Sequence, residues 1–258
     1  MEVSFYKYQG TGNDFIILDN RSGAYDQLTE DQINKICDRR FGIGADGLML
    51  LGLKDGYDFS MKYFNADGKE GSMCGNGGRC LVKFAFDMGI AKEVYHFLAV
   101  DGVHEATMKS DGYIRLKMQD VNSIQLNDGD MILNTGSPHF IRFTNDLENL
   151  DVYKEGRSIR YSEHFKEKGI NVNFVEKSGG SIRLRTYERG VENETLSCGT
   201  GATAAAIAFA QNIGYNKVSV KVEGGLLEVE FNRISDNEYR EIWLNGPAVF
   251  VFKGIITI

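Results

Sequence analysis

Two stretches decide how this chain is read: Ser72-Met73-Cys74-Gly75-Asn76-Gly77-Gly78 and Leu196-Ser197-Cys198-Gly199-Thr200-Gly201-Ala202. Each is a cysteine, then Gly-x-Gly, then a helical run, predicted from Arg79 to Met88 after the first and from Thr203 to Ile213 after the second. Each also has a glutamate four residues before the cysteine, Glu70 and Glu194. Cys74 and Cys198 are 124 positions apart, and the Thr-Gly of Gly10-Thr11-Gly12-Asn13 recurs at that same offset in Asn134-Thr135-Gly136-Ser137. Two unrelated short matches at one offset point to a duplicated unit. The chain is read as two equivalent halves, each delivering one thiol to a shared cleft.

The bulk properties fit two domains. A length of 258 residues is enough for two cores of ordinary size. A net charge of −7 argues against a nucleic-acid partner, which calls for a basic face. Apolar runs such as 248–252 are far shorter than the ~18 residues of a membrane span. The opening 1–7 alternates like a strand and lacks the basic and apolar regions of a secretory signal, so a cytoplasmic protein is expected. Its four cysteines, Cys37, Cys74, Cys80 and Cys198, should then be reduced thiols. No Cys-x2-Cys spacing or His/Cys/Asp cluster points to a metal.

Along the chain, 3–8 and 15–19 read as strands joined by the Gly-rich turn that holds Asn13. A helix is predicted from Thr29 to Arg40, opened by Thr29 with Gln32 three residues on. Gly42-Ile43-Gly44-Ala45-Asp46-Gly47 matches the dinucleotide pattern G-x-G-x-x-G, but a helix precedes it and a strand, 48–53, follows, the reverse of what that fingerprint requires. Strands are expected at 58–65, 94–100, 104–109 and 113–118, with Phe84 and Phe86 of the intervening helix in the core. The second half begins near Asp120, with strands at 131–134, 170–175, 182–187, 217–222, 226–231, 240–244 and 249–258. His139 stands beside the position equivalent to Asn13, which separates it from His96, His104 and His164. Glu188-Arg189-Gly190 closes a strand just ahead of the second thiol stretch. The small residues on nearly every face of the helix after Cys198 fit a helix enclosed by a sheet.

A cysteine immediately before a helix lies at the positive end of the helix dipole, beside N–H groups without intrahelical partners. Those groups can bind a carboxylate. Two such helix starts meeting at one cleft would hold one carboxylate and place a sulfur on either side of its α-carbon. One thiolate could then remove the α-proton while the opposite thiol returns one from the other face. The alternatives are a disulfide between the two loops, or a single nucleophilic cysteine. Thiols 124 residues apart do not resemble a disulfide-exchange motif, and a lone nucleophile leaves the duplication unexplained.

Gly10-Thr11-Gly12-Asn13-Asp14-Phe15, Phe64-Asn65-Ala66-Asp67-Gly68, Met73-Cys74-Gly75-Asn76-Gly77, Tyr187-Glu188-Arg189-Gly190, Glu194-Thr195-Leu196 and Cys198-Gly199-Thr200-Gly201-Ala202 together resemble the diaminopimelate epimerase family across the whole chain. The resemblance implies an α/β (α+β) fold of two pseudo-symmetric halves, each a mixed sheet wrapped around a central helix, with the active site in the cleft between them. Residues 1–118, with a returning strand 249–258, would form the N-terminal half and 119–248 the C-terminal half. It implies interconversion of LL- and meso-2,6-diaminopimelate without pyridoxal phosphate or metal, on the route to lysine and peptidoglycan precursor, by a homodimer. By position, Cys74 and Cys198 resemble the catalytic thiols, and His139 and Glu188 the pair that tunes them. Asn13, Asn65, Gly75, Asn76, Asn171, Glu188, Arg189, Gly199 and Thr200 resemble the substrate contacts. The chain departs from the commonest pattern at Ser137, at Gly47 and at Phe252, which stands at the dimer contact. The alternative enzyme is a relative with the same duplicated fold, such as a proline or hydroxyproline racemase. From other classes, the chain could be a non-catalytic amino-acid-binding protein, against which both cysteines with both glycine loops speak, or a thiol redox sensor, which would survive loss of Asn13 and Arg189 where an epimerase should not.

Overall fold

The apolar runs Phe15–Leu18 and Leu48–Leu51 are buried at every position rather than at alternate ones, as in strands covered on both faces. The computed structural model describes every residue except Ser72 and Asp111, so the serine of the first thiol stretch lies outside the described residues.

Two compact units form, Met1–Leu116 with Gly246–Ile258, and Lys117–Asn245. The first contains β1 (Glu2–Gly10), β2 (Asn13–Asp19), α1 (Glu30–Cys37), β3 (Gly47–Gly52), β4 (Phe59–Asn65), α2 (Gly75–Asp87), β5 (Val94–Ala99), β6 (Gly102–Met108), β7 (Ile114–Lys117) and the last strand, β17 (Val249–Thr257). Its sheet runs β17-β1-β2-β3-β4-β5-β6-β7, with β2/β3 and β4/β5 parallel and the other neighbours antiparallel. The second unit contains β8 (Ile124–Asn127), β9 (Asp130–Asn134), β10 (Pro138–Phe143), α3 (Val152–Arg160), β11 (Asn171–Ser178), β12 (Ser181–Glu188), β13 (Asn193–Thr195), α4 (Gly199–Phe209), β14 (Gly214–Val222), β15 (Gly225–Arg233) and β16 (Tyr239–Gly246). Its sheet runs β8-β9-β10-β11-β12-β14-β15-β16, with β10/β11 and β12/β14 parallel and the rest antiparallel. The two orders are the same, and so is the register. Phe15 opposite Gly47 answers to His139 opposite Asn171, each pair offset by 124 residues. Leu48 opposite Phe64 answers to Val172 opposite Tyr187, so Asn65 and Glu188, each last in its strand, are equivalents.

Each sheet buries a helix on either face. In the first unit, Ile33 and Ile36 of α1 pack on Val3, Phe5, Ile16, Leu18, Leu48 and Leu50. In the second, Val152 of α3 packs on Phe140, Val172, Phe174 and Tyr187. Full burial of each such side chain stabilises by about 1.5–3 kcal/mol. The opposite faces receive α2 and α4, whose first turns are almost wholly buried.

Helix boundaries differ from the sequence reading. Both thiol helices begin four residues early, at Gly75 and Gly199, and α4 ends at Phe209 rather than Ile213. Glycine is a poor helix former, but packing overrides propensity here. A Cβ on Gly77 would lie 3.1 Å from Met49 Sδ, and one on Gly201 2.5 Å from Asn173 Oδ1. Helix α1 has the expected capping box at Thr29 but stops at Cys37, not Arg40. There the Asp38 carboxylate accepts from the N–H groups of Arg40 (2.7 Å) and Phe41 (2.6 Å), a turn that competes with the helix. Helix α3 and strands β8, β10 and β13 are absent from the sequence reading. Gly156 hides α3 from propensity, and it is needed because a Cβ would lie 2.4 Å from Tyr187 Cβ. Phe86, expected in the core, is 39% exposed beneath Lys83.

Candidate active site

The thiol of the first unit is at the N-cap of α2. Cys74 has extended dihedrals (φ −100°, ψ 125°) and its carbonyl accepts the first helical bond, from Gly78 N at 2.7 Å. The N–H groups of residues 75–77 therefore precede the intrahelical ladder. Cys74 Sγ lies 3.5 Å from Asn13 Oδ1, which also accepts from Asn76 Nδ2 at 3.3 Å. Asn13 Nδ2 in turn donates to Asp46 Oδ2 at 2.5 Å. Arg39 bridges Asp46 (2.7 Å) and Asp14 (2.6 Å), and Lys7 joins Asp14 at 2.6 Å. Burial acts to raise the Asp14 carboxyl, but hydrogen bonds from Arg39 and Lys7 hold it down at about 2. The turn that presents Asn13 is strained, with Thr11 at φ 51° and Gly12 at φ 85°. Thr11 is fastened by Arg79 Nη2, which donates to its Oγ1 at 3.4 Å.

Asn65 ends β4, exposed to solvent. The sheet position opposite it is Gly47. A Cβ on Gly47 would lie 2.5 Å from Tyr63 Cε2, 2.8 Å from Tyr63 Oη and 2.5 Å from Phe64 O, so Tyr63 fills the space of the missing side chain.

The second unit repeats the helix start. Cys198, at the N-cap of α4 (φ −122°, ψ 111°), is 8% exposed, and its carbonyl accepts from Ala202 N at 2.8 Å. Its sulfur lies 3.5 Å from Thr200 Oγ1, and Thr135 Oγ1 donates to Thr200 O at 2.8 Å. His139 is fully buried on β10. Asn173 Nδ2, which also donates to Phe140 O and Asn171 O, lies 3.1 Å from His139 Nδ1. The carbonyls of Phe140 and Asn171, which only accept, fix the amide with Nδ2 toward the ring, so Nδ1 is an acceptor and the ring proton is on Nε2, while Asn173 Oδ1 accepts from Thr186 Oγ1. Nε2 is buried without a partner among the described residues. Burial, reinforced by the charge of Arg189, pushes His139 down to about 3, so the imidazole is neutral and can donate through Nε2–H but carries no charge.

Asn171 is the organiser of the adjoining loops. Its Nδ2 donates to Ser137 Oγ (2.8 Å) and Pro138 O (3.1 Å), and its Oδ1 accepts from Arg189 N (2.9 Å). The Arg189 guanidinium donates to Ser137 Oγ at 3.3 Å and Lys168 O at 3.2 Å, and Glu188 Oε2 accepts from Thr195 Oγ1 at 2.9 Å. The hydroxyl at Ser137 thus gathers Asn171 and Arg189 together.

Asn13, Cys74 and Asn76 of the first unit are brought together, with Asn65 at the adjoining strand end, and so are Ser137, His139, Asn171, Arg189, Cys198 and Thr200 near one helix start of the second. The glutamates ahead of the cysteines are not part of either group. Glu194 forms a bidentate pair with Arg185 (2.6 and 2.8 Å), and Glu70 faces Lys62 at 3.8 Å. Hollows of about 290 Å³ beside Arg183 and Arg185, and of about 360 Å³ beside Arg21, contain none of the predicted site residues. Cys37 and Cys80 are packed thiols, both pushed up to about 12 by burial. Sequence reasoning missed Asp46, Arg79 and Asn173. The signal was present in Asn173, a polar residue in an otherwise apolar strand run, and in Arg79, a charge inside a glycine-rich buried turn.

The fold is shared with solved structures of isomerase type and others. A phenazine biosynthesis protein of the PhzF family from Bacillus anthracis aligns over 100% of both chains with a TM-score of 0.75 at 16% identity. A hydroxyproline epimerase from Agrobacterium vitis, with bound trans-4-hydroxy-L-proline, aligns over 99% of this chain and 92% of its own with a TM-score of 0.70 at 12% identity. At those identities the likeness defines the fold class alone, a duplicated α+β fold with one helix-start thiol in each unit of this chain. The particular family comes from sequence. The diaminopimelate epimerase model matches twice, at residues 5–124 and 131–251. Diaminopimelate epimerases of Flavobacterium psychrophilum (49% identity over 98% of this chain and 100% of theirs) and Chlorobaculum tepidum (44%, over 96% and 99%) are similar throughout. The chain belongs to the diaminopimelate epimerase family, a family of isomerases. Among the described residues no helix is long and apolar enough to cross a membrane.

Proposed function

We propose that this protein interconverts LL- and meso-2,6-diaminopimelate by two-base proton transfer between Cys74 and Cys198, without a cofactor, in the synthesis of lysine and peptidoglycan precursor in the cytoplasm. The observation that carries this reading is the matched pair of N-cap cysteines, each before a buried helix whose first-turn N–H groups precede the ladder. The dipole at each start, worth about 0.3–2 kcal/mol, favours both a thiolate and a bound carboxylate. An α-carbon addressed by a sulfur on each face loses a proton to one and gains one from the other. The carbanion-like state is stabilised by N–H groups acting on the carboxylate as it gains charge.

Asn13, Asn65, Gly75, Asn76, Asn171, Glu188, Arg189, Gly199 and Thr200 are proposed as substrate contacts. His139, neutral and with no partner for Nε2–H among the described residues, acts as a hydrogen-bond donor rather than as a charge. The experiment is α-proton exchange in D2O with LL-diaminopimelate and proline compared. Exchange with diaminopimelate alone supports the proposal, and exchange with proline alone overturns it. Restoration of lost activity by a divalent ion after EDTA, or a Schiff-base absorbance band, would overturn the cofactor-free mechanism.

A homodimer is proposed through β17. Its Val249, Phe250, Val251, Phe252 and Ile255 are 44–67% exposed, and its paired neighbour in the first unit is β1. A long apolar strand left at an edge calls for cover. Phe252→Asp should convert a dimer to a monomer in sedimentation velocity, and a wild-type monomer would refute the assignment.

A further inference from the structure

The turn that presents Arg189 is built differently from its counterpart in the first unit. There Phe64 bridges Glu70 across the five residues 65–69, whereas Tyr187 pairs with Glu194 across the six residues 188–193. The first turn has Ala66 where the second has Arg189. Glu192 N–H donates to Glu188 O at 2.8 Å and so closes 189–192 into a loop. Gly190 (φ 92°) and Glu192 (φ 56°) both take the left-handed conformation. Glycine enters it without strain, and a glutamate does not. An outlier of this kind is a sign of function.

The Glu192 side chain is half-buried, and its carboxylate gathers three donors. Oε1 accepts from Gly190 N–H (3.1 Å) and from Arg160 Nε (3.2 Å), and Oε2 accepts from Tyr187 Oη (3.2 Å). Those donors lie in the loop itself, in the last turn of α3 and on β12. Burial acts to raise the Glu192 carboxyl, but the Gly190 hydrogen bond, the neighbouring tyrosines and the Arg160 charge hold it below the ordinary carboxylate value, so it is an anion.

Arg160 is the second half of this clamp. Its Nη1 donates to Phe165 O (3.4 Å) and Lys166 O (3.3 Å), and Arg189 Nη1 donates to Lys168 O at 3.2 Å. One segment, 165–168, therefore seats both guanidinium groups. Gly169, at φ 72°, lies between the two side chains: a Cβ there would lie 2.6 Å from Arg189 Cδ and 2.9 Å from Arg160 Cζ. Two like charges packed against one glycine repel each other. Glu192 pairs with Arg160. Arg189 pairs with no carboxylate among the described residues; its partners are Lys168 O, Ser137 Oγ and, through its backbone N–H, Asn171 Oδ1. Neutralising Arg160 removes the repulsion that would turn Arg189 away. It also leaves Arg189 as the one cation of the two without an anion.

We propose that Glu192, with Arg160, is a positioning residue for Arg189: its carboxylate closes the loop and neutralises the neighbouring arginine, so that the Arg189 guanidinium is held ready for a substrate carboxylate. This rests on the reading of Arg189 as a substrate contact and assigns the groups that set that contact. Glu192 acts through Arg189 and does not itself touch the substrate.

The test compares Glu192→Gln and Glu192→Gly in steady-state epimerisation of LL-diaminopimelate. Glu192→Gln keeps an oxygen for Gly190 N–H and Arg160 Nε and offers Tyr187 Oη an N–H, so it removes only the charge. Glu192→Gly removes the charge and the clamp, and it accepts φ 56° without strain. Misplacing a contact made equally in the ground and transition states raises KM and spares kcat. KM should therefore rise about tenfold in Glu192→Gly and about threefold in Glu192→Gln, with kcat changed less than KM in each. Loss of folded enzyme lowers the apparent kcat and leaves KM alone, so a merely structural role gives the opposite split. Peptide-resolved amide hydrogen exchange of the ligand-free proteins reads the loop without substrate. Residues 188–193 should exchange faster than wild type in Glu192→Gly and near the wild-type rate in Glu192→Gln. A wild type that turns over no diaminopimelate would overturn the substrate reading, and with it the role of Arg189. An active wild type whose Glu192→Gly variant keeps its KM, or keeps the wild-type exchange rate in the loop, would overturn the proposal alone.

Discussion

Gly201→Ala sets helix propensity against packing. On propensity alone the change stabilises α4 by about 1 kcal/mol. In the structure the new Cβ would lie 2.5 Å from Asn173 Oδ1 and 3.3 Å from both Cβ and Sγ of Cys198. An ordinary contact requires the Asn173 amide to retreat by about 0.9 Å, given that Cβ contacts normally begin near 3.4 Å. That amide holds four buried partners, His139 Nδ1 (3.1 Å), Phe140 O (3.0 Å), Asn171 O (3.3 Å) and Thr186 Oγ1 (3.0 Å). Losing one or two of these costs about 1–3 kcal/mol each. The net expectation is a loss of about 2–3 kcal/mol, which for a chain of this size lowers the melting temperature by about 5–10 °C. Calorimetry and urea unfolding measure it. Epimerisation should fall further than stability does, because the same shift frees the His139 ring and crowds the Cys198 sulfur. A variant as stable as the wild type, or more so, would refute the claim that Asn173 sets the position of α4.

Cys74→Ala and Cys198→Ala should each lower epimerisation by about a hundred- to ten-thousand-fold with the fold intact by circular dichroism, and near wild-type turnover in either would sink the two-base mechanism. The folded protein keeps His139 unprotonated down to about 3, against about 6.5 when unfolded, so the unfolded chain binds the extra proton between those values. Stability should therefore be complete above pH 6.5 and fall by about 1.4 kcal/mol per pH unit as pH drops toward 3; His139→Gln should flatten urea-midpoint curves in that window, and an unchanged slope would contradict the buried neutral imidazole. Gly47→Ala should destabilise by about 1–3 kcal/mol even with Tyr63→Ala, because the Cβ also meets Phe64 O at 2.5 Å; rescue by the tyrosine change would show that the backbone yields.

Sequence alone carried the duplication and, with it, much of the architecture. A repeat offset of 124 residues needs only residue identities to be seen, and the registers Phe15–Gly47 and His139–Asn171 keep it. Most strands were legible because burial on one or both faces leaves alternating or continuous apolar runs. The thiol stretches were legible because a cysteine beside Gly-x-Gly has little reason to exist in a core. What the sequence could not supply was where the helices start, since their glycine-rich first turns are set by close neighbours in the fold, Met49 against Gly77 and Asn173 against Gly201. Helix α3 was hidden in the same way by Gly156. Nor could spacing separate the glutamates before each cysteine, which pair with Lys62 and Arg185, from Asp46 and Arg79, which orient the amides at the first thiol. Donor and acceptor roles belong to groups that meet across 33 to 63 residues of chain. Only the tertiary structure brings them within reach, and only burial, by removing water as an alternative partner, makes a single arrangement hold.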